Sequence, residues 1–120
     1  MGEEIMPEYQ WGVFWVDLSP AKGSEQEGRR PVLVISEEEI NQVLPIVTIL
    51  SLTSARPGRK VYSTEIFLKR TDTGLQRDSI AMAHQIRAIS KERLIQKCGS
   101  LESDYLRENI RKAIRLYLDL

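Results

Sequence analysis

The alternation of apolar and polar positions predicts short β-strands over most of the chain. Residues 13–18 (VFWVDL) are rich in β-branched and aromatic side chains, and residues 31–35 (PVLVI) form a continuous apolar run typical of a buried central strand. The runs 46–52 (IVTILSL) and 64–68 (TEIFL) have the same character, while residues 79–89 alternate with a period of two. We therefore expect five or six strands.

Three serines mark candidate helix starts. Ser36 precedes EEEINQVL and predicts a short helical turn, and Ser90 predicts a short helix at KERLIQK. Ser103 predicts a longer C-terminal helix with one apolar stripe, formed by Leu106, Ile110, Ala113, Ile114 and Tyr117. Strands and helices do not alternate as they do in a parallel sheet, so the pattern indicates an α+β fold: a small, strongly curved antiparallel barrel with a C-terminal helix.

The bulk properties predict one globular domain. A chain of 120 residues with 42% hydrophobic and 28% charged residues has the size and composition of a single domain, expected over residues 10–120 after a flexible tail at 1–9. The sequence has no apolar run of about 20 residues and no signal-peptide pattern, so we expect a cytoplasmic protein. One cysteine and one histidine leave no material for a cysteine-rich or histidine-based metal site, and no cofactor is expected.

Charge is balanced overall but uneven locally. The 17 Lys and Arg residues equal the 17 Asp and Glu residues, which argues against a generic nucleic-acid coat. Residues 56–77 nevertheless hold six basic and only two acidic side chains: Arg56, Arg59, Lys60, Lys69, Arg70 and Arg77 against Glu65 and Asp72. This stretch forms either a local face for phosphodiester or a set of solvated loop charges.

Familiar catalytic motifs are absent, which leaves few candidates for chemistry. The sequence contains no nucleophile elbow, Walker loop, dinucleotide fingerprint or His-Glu-x-x-His motif. His84 shares a predicted strand face with Ile80, Met82 and Ile86, so a packed structural role is favoured over acid–base catalysis. Arg30 lies where a polar loop meets a strand and is suited to gripping a phosphate, although the spacing alone favours an ordinary surface arginine.

One long stretch adds a resemblance to a known family. Residues 16–35, VDLSPAKGSEQEGRRPVLVI, resemble the D-L-x-P-x-x-G-S-E-Q-x-G-x-R-P-V-L-V-I pattern of the MazF/PemK/Kid toxin ribonucleases. The run ending in Leu52, Thr53 and Ser54 and the stretch 73–94 (TGLQRDSIAMAHQIRAISKERL) are also similar to that family. Many members open the first strand with Gly-Asp, where this chain has Trp11 and Gly12, and Glu27–Gly28 replaces a frequent Gly-Gly pair.

The resemblance implies a fold, an activity and site residues. It implies an SH3-like barrel, a homodimer and metal-independent cleavage of single-stranded RNA to 2′,3′-cyclic phosphate and 5′-hydroxyl ends, held in check by an antitoxin protein. The catalytic pair carried over is Arg30 and Thr53. The RNA-binding residues implied or expected beside them are Lys22, Ser24, Glu25, Gln26, Arg29 and Gln85.

Two other functions remain open from the sequence. A CcdB-like toxin would keep the fold but bind a protein target such as gyrase without catalysis, although such toxins lack the G-S-E-Q-x-G-x-R-P run found here. A non-catalytic SH3-like interaction module is the third interpretation. It would use an exposed aromatic patch, for which the N-terminal aromatics Tyr9, Trp11, Phe14 and Trp15 are the candidates.

Overall fold

Six β-strands and a long C-terminal helix form the structure, a computed structural model that describes residues 8–19, 22–23 and 28–120. The strands are β1 (Gly12–Asp17), β2 (Arg29–Val34), β3 (Ile46–Ser54), β4 (Glu65–Leu68), β5 (Ser79–Ser90) and β6 (Leu94–Ser100). The helices are α1 (Glu38–Val43), α2 (Arg70–Thr73) and α3 (Asp104–Leu118), and a 3-10 turn spans Lys91–Arg93. None of the helices in these ranges is long and apolar enough to cross a membrane.

The strands form one antiparallel sheet in the order β4-β5-β3-β2-β1-β6. This confirms the predicted α+β class, the strand number and the C-terminal helix. The two outer strands, β4 and β6, are not paired with each other, so closure of the sheet into a barrel is not confirmed. Register shifts in the β1–β6 and β3–β5 pairs bend the sheet locally, because a bulged strand turns more sharply than its partner.

Both faces of the central strands are covered, which explains why their sequences are continuously apolar. Phe14, Val32 and Ile49 belong to one buried cluster, whereas their chain neighbours Val13 and Leu33 belong to a second cluster on the opposite face. The second cluster is closed by α3, whose residues Ile110 and Ala113 are buried. The Ser103 side chain accepts a hydrogen bond from the Leu106 amide, as predicted for the start of this helix.

The helix predicted at KERLIQK is wrong beyond its first turn. Ser90 accepts a hydrogen bond from the Glu92 amide and caps only the 3-10 turn. Residues 94–100 then form β6, which pairs with the free edge of β1. Backbone pairing along a whole strand outweighs a local helical preference that is worth only a fraction of a kcal/mol per residue. Similarly, Glu37 rather than Ser36 caps α1.

The predicted tail at residues 1–9 lies mostly outside the described residues, but its last residue belongs to the core. Tyr9 is buried, and its amide donates to the Glu38 carboxylate. Trp11 follows with a positive φ of 65°, a conformation that costs a non-glycine residue about 1–2 kcal/mol. The buried indole is covered by the guanidinium groups of Arg107 and Arg111, at 5.4 and 5.1 Å from its ring centroid, which offsets that strain.

Candidate functional site

Strands β2 and β3 bring Arg30 and Thr53 together. The pairing of β2 with β3 ends at Val32 and Ser51, and Arg30 and Thr53 lie two residues beyond that pair on their strands. Both residues line a cavity of about 590 Å³. Its wall includes Trp15, Arg29, Pro31, Leu52, Gln76, Arg77 and Cys98.

The base of the loop that precedes β2 is held by backbone contacts. The Leu18 amide donates to the Gly28 carbonyl at 2.9 Å, and the Gly28 amide donates to the Ser19 hydroxyl at 3.0 Å. Gly28 has a φ of 77°, which permits the chain to turn into β2 without a Cβ clash. Arg93 from the 3-10 turn also donates to the carbonyls of Asp17 and Ser19, both at 2.9 Å. These hydrogen bonds therefore fix the start of β2, where Arg30 lies.

Arg30 carries a buried hydrogen-bond donor without an acceptor. Its Nε is shielded from solvent and has no hydrogen-bond partner among the described residues. Leaving such a donor unsatisfied costs free energy, and native structures rarely do so without a functional reason. A guanidinium held in this way at a cavity wall is a ready receptor for an oxyanion.

Ser51, next to this pair on β3, has the same property. Its hydroxyl is buried and has no hydrogen-bond partner in the described part of the chain. Ser51 and Thr53 are two residues apart on one strand and therefore project from the same face. The sequence reasoning missed Ser51, because a serine inside an apolar strand gives no local sign of being unpaired.

The cavity also contains a thiol that is unsuited to nucleophilic chemistry. Burial raises the pKa of Cys98 above its ordinary value, and its Sγ lies 3.2 Å from the Val13 carbonyl. A buried thiol with a raised pKa holds little thiolate at neutral pH, and the thiolate is the reactive form. Cys98 therefore contributes to the wall rather than to the chemistry.

The structure gathers some of the predicted site residues and separates others. Arg29, Arg30 and Thr53 line the same cavity, with Arg29 exposed and the other two half-buried. Lys22 is exposed and Gln85 is half-buried on β5, and neither lines the cavity. Ser24, Glu25 and Gln26 lie outside the described residues.

The packed role predicted for His84 is wrong. Its side chain is exposed, and its Nδ1 lies 3.0 Å from the Thr64 hydroxyl. The register jumps from Met82 to Arg87 on β5 while β3 moves only from Ser51 to Ile49. This bulge breaks the period-two alternation on which the prediction relied. His84 does not line the cavity that holds Arg30 and Thr53.

The segment after α2 supplies residues that the sequence reasoning did not name as site residues. Gln76, Arg77 and Ser79 complete the far wall of the cavity. Their sequence signals were the basic stretch that ends at Arg77 and the resemblance of residues 73–94 to the toxin family. No cluster of three or more histidine, cysteine or acidic side chains suited to a metal ion occurs among the described residues.

Comparison with known proteins assigns the chain to a family. Residues 9–118 match the model of the PemK-like, MazF-like toxin of type II toxin–antitoxin systems. The chain belongs to this family. The resemblance inferred from residues 16–35 is thereby confirmed.

Individual members of the family give the same result. The chain is 38% identical over 115 residues to the endoribonuclease MazF9 of Mycobacterium tuberculosis, covering 91% of this chain and 95% of that protein. It is 35% identical over 108 residues to the endoribonuclease EndoA of Bacillus subtilis, with 90% and 91% covered.

Solved structures of family members share the fold. MazF from Deinococcus radiodurans superposes with a TM-score of 0.78 at 24% identity, covering 98% of this chain and 100% of that one. An endoribonuclease in complex with its cognate antitoxin, from a mycobacterial species, gives a TM-score of 0.76 at 22% identity, covering 96% and 97%.

Proposed function

We propose that this chain is an endoribonuclease toxin that cleaves single-stranded RNA at the cavity between β2 and β3. The observation that carries the proposal is the buried Nε of Arg30, which has no hydrogen-bond partner among the described residues, in the cavity that Thr53 also lines. A phosphodiester oxygen is the acceptor that this donor lacks. Family membership and two relatives named as endoribonucleases support the same reading over a CcdB-like toxin or an interaction module.

The cleavage step needs alignment and charge stabilisation rather than a protein nucleophile. The 2′-hydroxyl oxygen of the RNA attacks the adjacent phosphorus, the bond from phosphorus to the 5′-oxygen breaks, and a 2′,3′-cyclic phosphate remains. The 2′ proton is released and the departing 5′-oxygen gains one, which yields a 5′-hydroxyl. No metal ion is required for this balance.

Arg30 and Thr53 have different roles in this proposal. Arg30 stabilises the negative charge that builds up on the phosphorane, since a guanidinium stays protonated in proteins and is a poor proton acceptor. The Thr53 hydroxyl donates to a non-bridging oxygen and aligns the phosphate for in-line attack. Arg29 contacts the RNA backbone at the cavity rim.

The remaining predicted residues belong to recognition rather than cleavage. We assign Lys22, Ser24, Glu25 and Gln26 to RNA binding, and Gln85 to a base contact from the sheet. An SH3-like barrel, a homodimer, a cytoplasmic site of action and neutralisation by a cognate antitoxin complete the proposal. A solved structure of a similar endoribonuclease in complex with its cognate antitoxin supports the last of these.

A chelator-resistant RNase assay tests the proposed function. The purified chain is incubated with a mixed-sequence fluorogenic RNA in excess EDTA, and the product ends are mapped. We expect cleavage at a short motif with cyclic phosphate and 5′-hydroxyl ends. Absence of cleavage, or cleavage that EDTA abolishes, contradicts the proposal.

A further inference from the structure

A second, smaller cavity adjoins the first. It has a volume of about 460 Å³ and shares Ser54, Gln76 and Arg77 with the cavity that holds Arg30 and Thr53. Its remaining wall includes Arg56 from the loop after β3 and Arg70 from α2. Three arginines from three separate segments therefore converge on one depression, which we call the arginine cavity.

The three guanidinium groups are not used for folding. Among the described residues, the side chains of Arg56, Arg70 and Arg77 form no ion pair or hydrogen bond. Other arginines of the chain are engaged: Arg59 pairs with Glu65 at 2.8 Å, and Arg115 pairs with Glu108 at 3.2 Å. The charges in the arginine cavity thus remain available for an external anion.

The acidic residue in the wall of the arginine cavity, Asp78, binds backbone amides. Asp78 accepts a hydrogen bond from the Arg70 amide on its carboxylate and one from the Ala55 amide on its carbonyl, both at 2.9 Å. It therefore holds the segments of Arg56 and Arg70 in place instead of neutralising a guanidinium. The arginine cavity therefore has a backbone fixed by hydrogen bonds and more basic than acidic side chains in its wall.

We propose that the arginine cavity is a phosphate subsite for the RNA strand beyond the cleaved bond. This inference rests on the proposed function and extends it. A strand whose scissile phosphate lies at Arg30 passes Arg77, which lines both cavities, before it reaches Arg56 and Arg70. Because the wall of the arginine cavity contains no aromatic residue for stacking, the contact is to the backbone and independent of sequence.

Salt-dependent binding of an uncleavable strand tests this subsite. The probe is a fluorescent single strand of about 12 nucleotides with 2′-O-methyl sugars, which lacks the attacking hydroxyl, titrated at several salt concentrations between about 50 and 200 mM. We expect the double variant Arg56→Gln/Arg70→Gln to bind about tenfold or more weakly. For this variant, the decrease of log K with log salt should be less steep, by about 0.7 for each lost phosphate contact.

Matched variants separate a local subsite from general charge loss. Lys112→Gln removes an exposed positive charge on α3, outside both cavities, and should leave affinity and salt slope at the wild-type values. Arg56→Lys/Arg70→Lys keeps the charge and should restore most of the slope. Far-ultraviolet circular dichroism melting checks that each variant is folded.

The outcomes distinguish the two levels of the proposal. If the wild type cleaves and binds RNA but the double glutamine variant keeps the wild-type affinity and slope, the subsite is refuted while the proposed function stands. If the wild type neither cleaves nor binds RNA, both fall. Unchanged RNA affinity together with lost affinity for a polyglutamate peptide would assign the cavity to an acidic protein segment instead.

Discussion

At the scale of single residues, the buried guanidinium nitrogen of Arg30 indicates a functional role. Its Nε is buried and has no hydrogen-bond partner among the described residues, and an anion bound in the cavity would supply an acceptor. We predict that Arg30→Ala lowers the rate of RNA cleavage about a hundredfold or more, as removal of a key charge-stabilising donor does. The midpoint of thermal unfolding should stay the same or rise, because the unsatisfied donor is removed.

Two measurements check this prediction. Single-turnover cleavage gives the chemical rate, and a thermal melt gives the stability. Arg30→Lys is the matched variant, which should recover part of the rate because it keeps the charge but lacks the planar, bidentate guanidinium. A folded Arg30→Ala protein with the wild-type rate would overturn the assignment.

His84 is the residue that ribonuclease chemistry would suggest and that the geometry does not support. It is exposed, contacts Thr64 and does not line the cavity. We predict that His84→Gln retains most of the activity and that the pH–rate profiles of both proteins are flat between about pH 6 and 8. An inflection in the wild-type profile that disappears in the variant would show that His84 transfers a proton.

Glu65 is the best-buried carboxylate with a charged partner among the described residues. Hydrogen bonds from Arg59 and from the Tyr62 amide lower the pKa of Glu65 below its ordinary value of 4.5, against the opposing effect of burial. The folded state therefore gains stability from this group above about pH 4.5 and loses it as the pH falls through the lowered value. Glu65→Gln should remove this part of the pH dependence.

Urea unfolding between about pH 7 and pH 3 measures the effect. At neutral pH we expect Glu65→Gln to lose about 1.5–3 kcal/mol of unfolding free energy, because a charged hydrogen bond to Arg59 is broken. Glu102→Gln is the control, since that side chain is 81% exposed and lies 3.6 Å from Arg107. Its effect should stay within about 0.5 kcal/mol. Equal losses in the two variants would contradict the prediction.

At the scale of elements, the contact between α2 and β6 positions the far wall of the candidate site. Gly74 ends α2 with a φ of 81°, and a Cβ there would lie 2.3 Å from the Cys98 carbonyl oxygen. Gly58 has nearly the same φ, 79°, but a Cβ there would meet no described atom within 4 Å. A side chain at Gly58 therefore meets only the strain of the positive φ, whereas a side chain at Gly74 also clashes with the backbone of β6.

We predict that Gly58→Ala costs about 1 kcal/mol of stability, whereas Gly74→Ala costs more than about 3 kcal/mol. Because Gly74 also lines the cavity with Arg30, the remaining folded Gly74→Ala protein should cleave RNA more slowly. Chemical unfolding and the RNase assay measure both quantities. Similar costs at the two positions would show that α2 can move away from β6.

At the scale of the whole molecule, several apolar side chains remain on the surface. Ile95 on β6 and Leu116 on α3 are 49% and 58% exposed, and Val43 on α1 is 81% exposed. A domain of this size covers only about two thirds of its surface on folding. We predict a homodimer in solution, with the dimer required for cleavage.

Light scattering at micromolar concentration tests the dimer directly. A mass of twice 13.8 kDa, with specific activity that falls on dilution, would support the prediction. A monomer of 13.8 kDa with full RNase activity would refute it. Dilution into a fixed concentration of an inert carrier protein controls for adsorption to surfaces.

The sequence by itself determined the local features of this protein. Apolar runs placed five of the strands, because burial on both faces requires continuous apolar residues at β2 and β3. Ser103 marked the start of α3, since capping is decided within one turn of chain. The motif from Asp17 to Pro31 was sufficient to indicate the family.

Only the tertiary structure decided the features that depend on distant residues. The free edge of β1 made residues 94–100 a strand instead of a helix, and the bulge in β5 moved His84 to the surface. Pairing of β2 with β3 brought Arg30 and Thr53 to one cavity, and the hydrogen bonds of Asp78 hold the segments of Arg56 and Arg70 at a second. Local periodicity reports which face of an element is buried, but pairing and register are set by contacts between segments far apart in the chain.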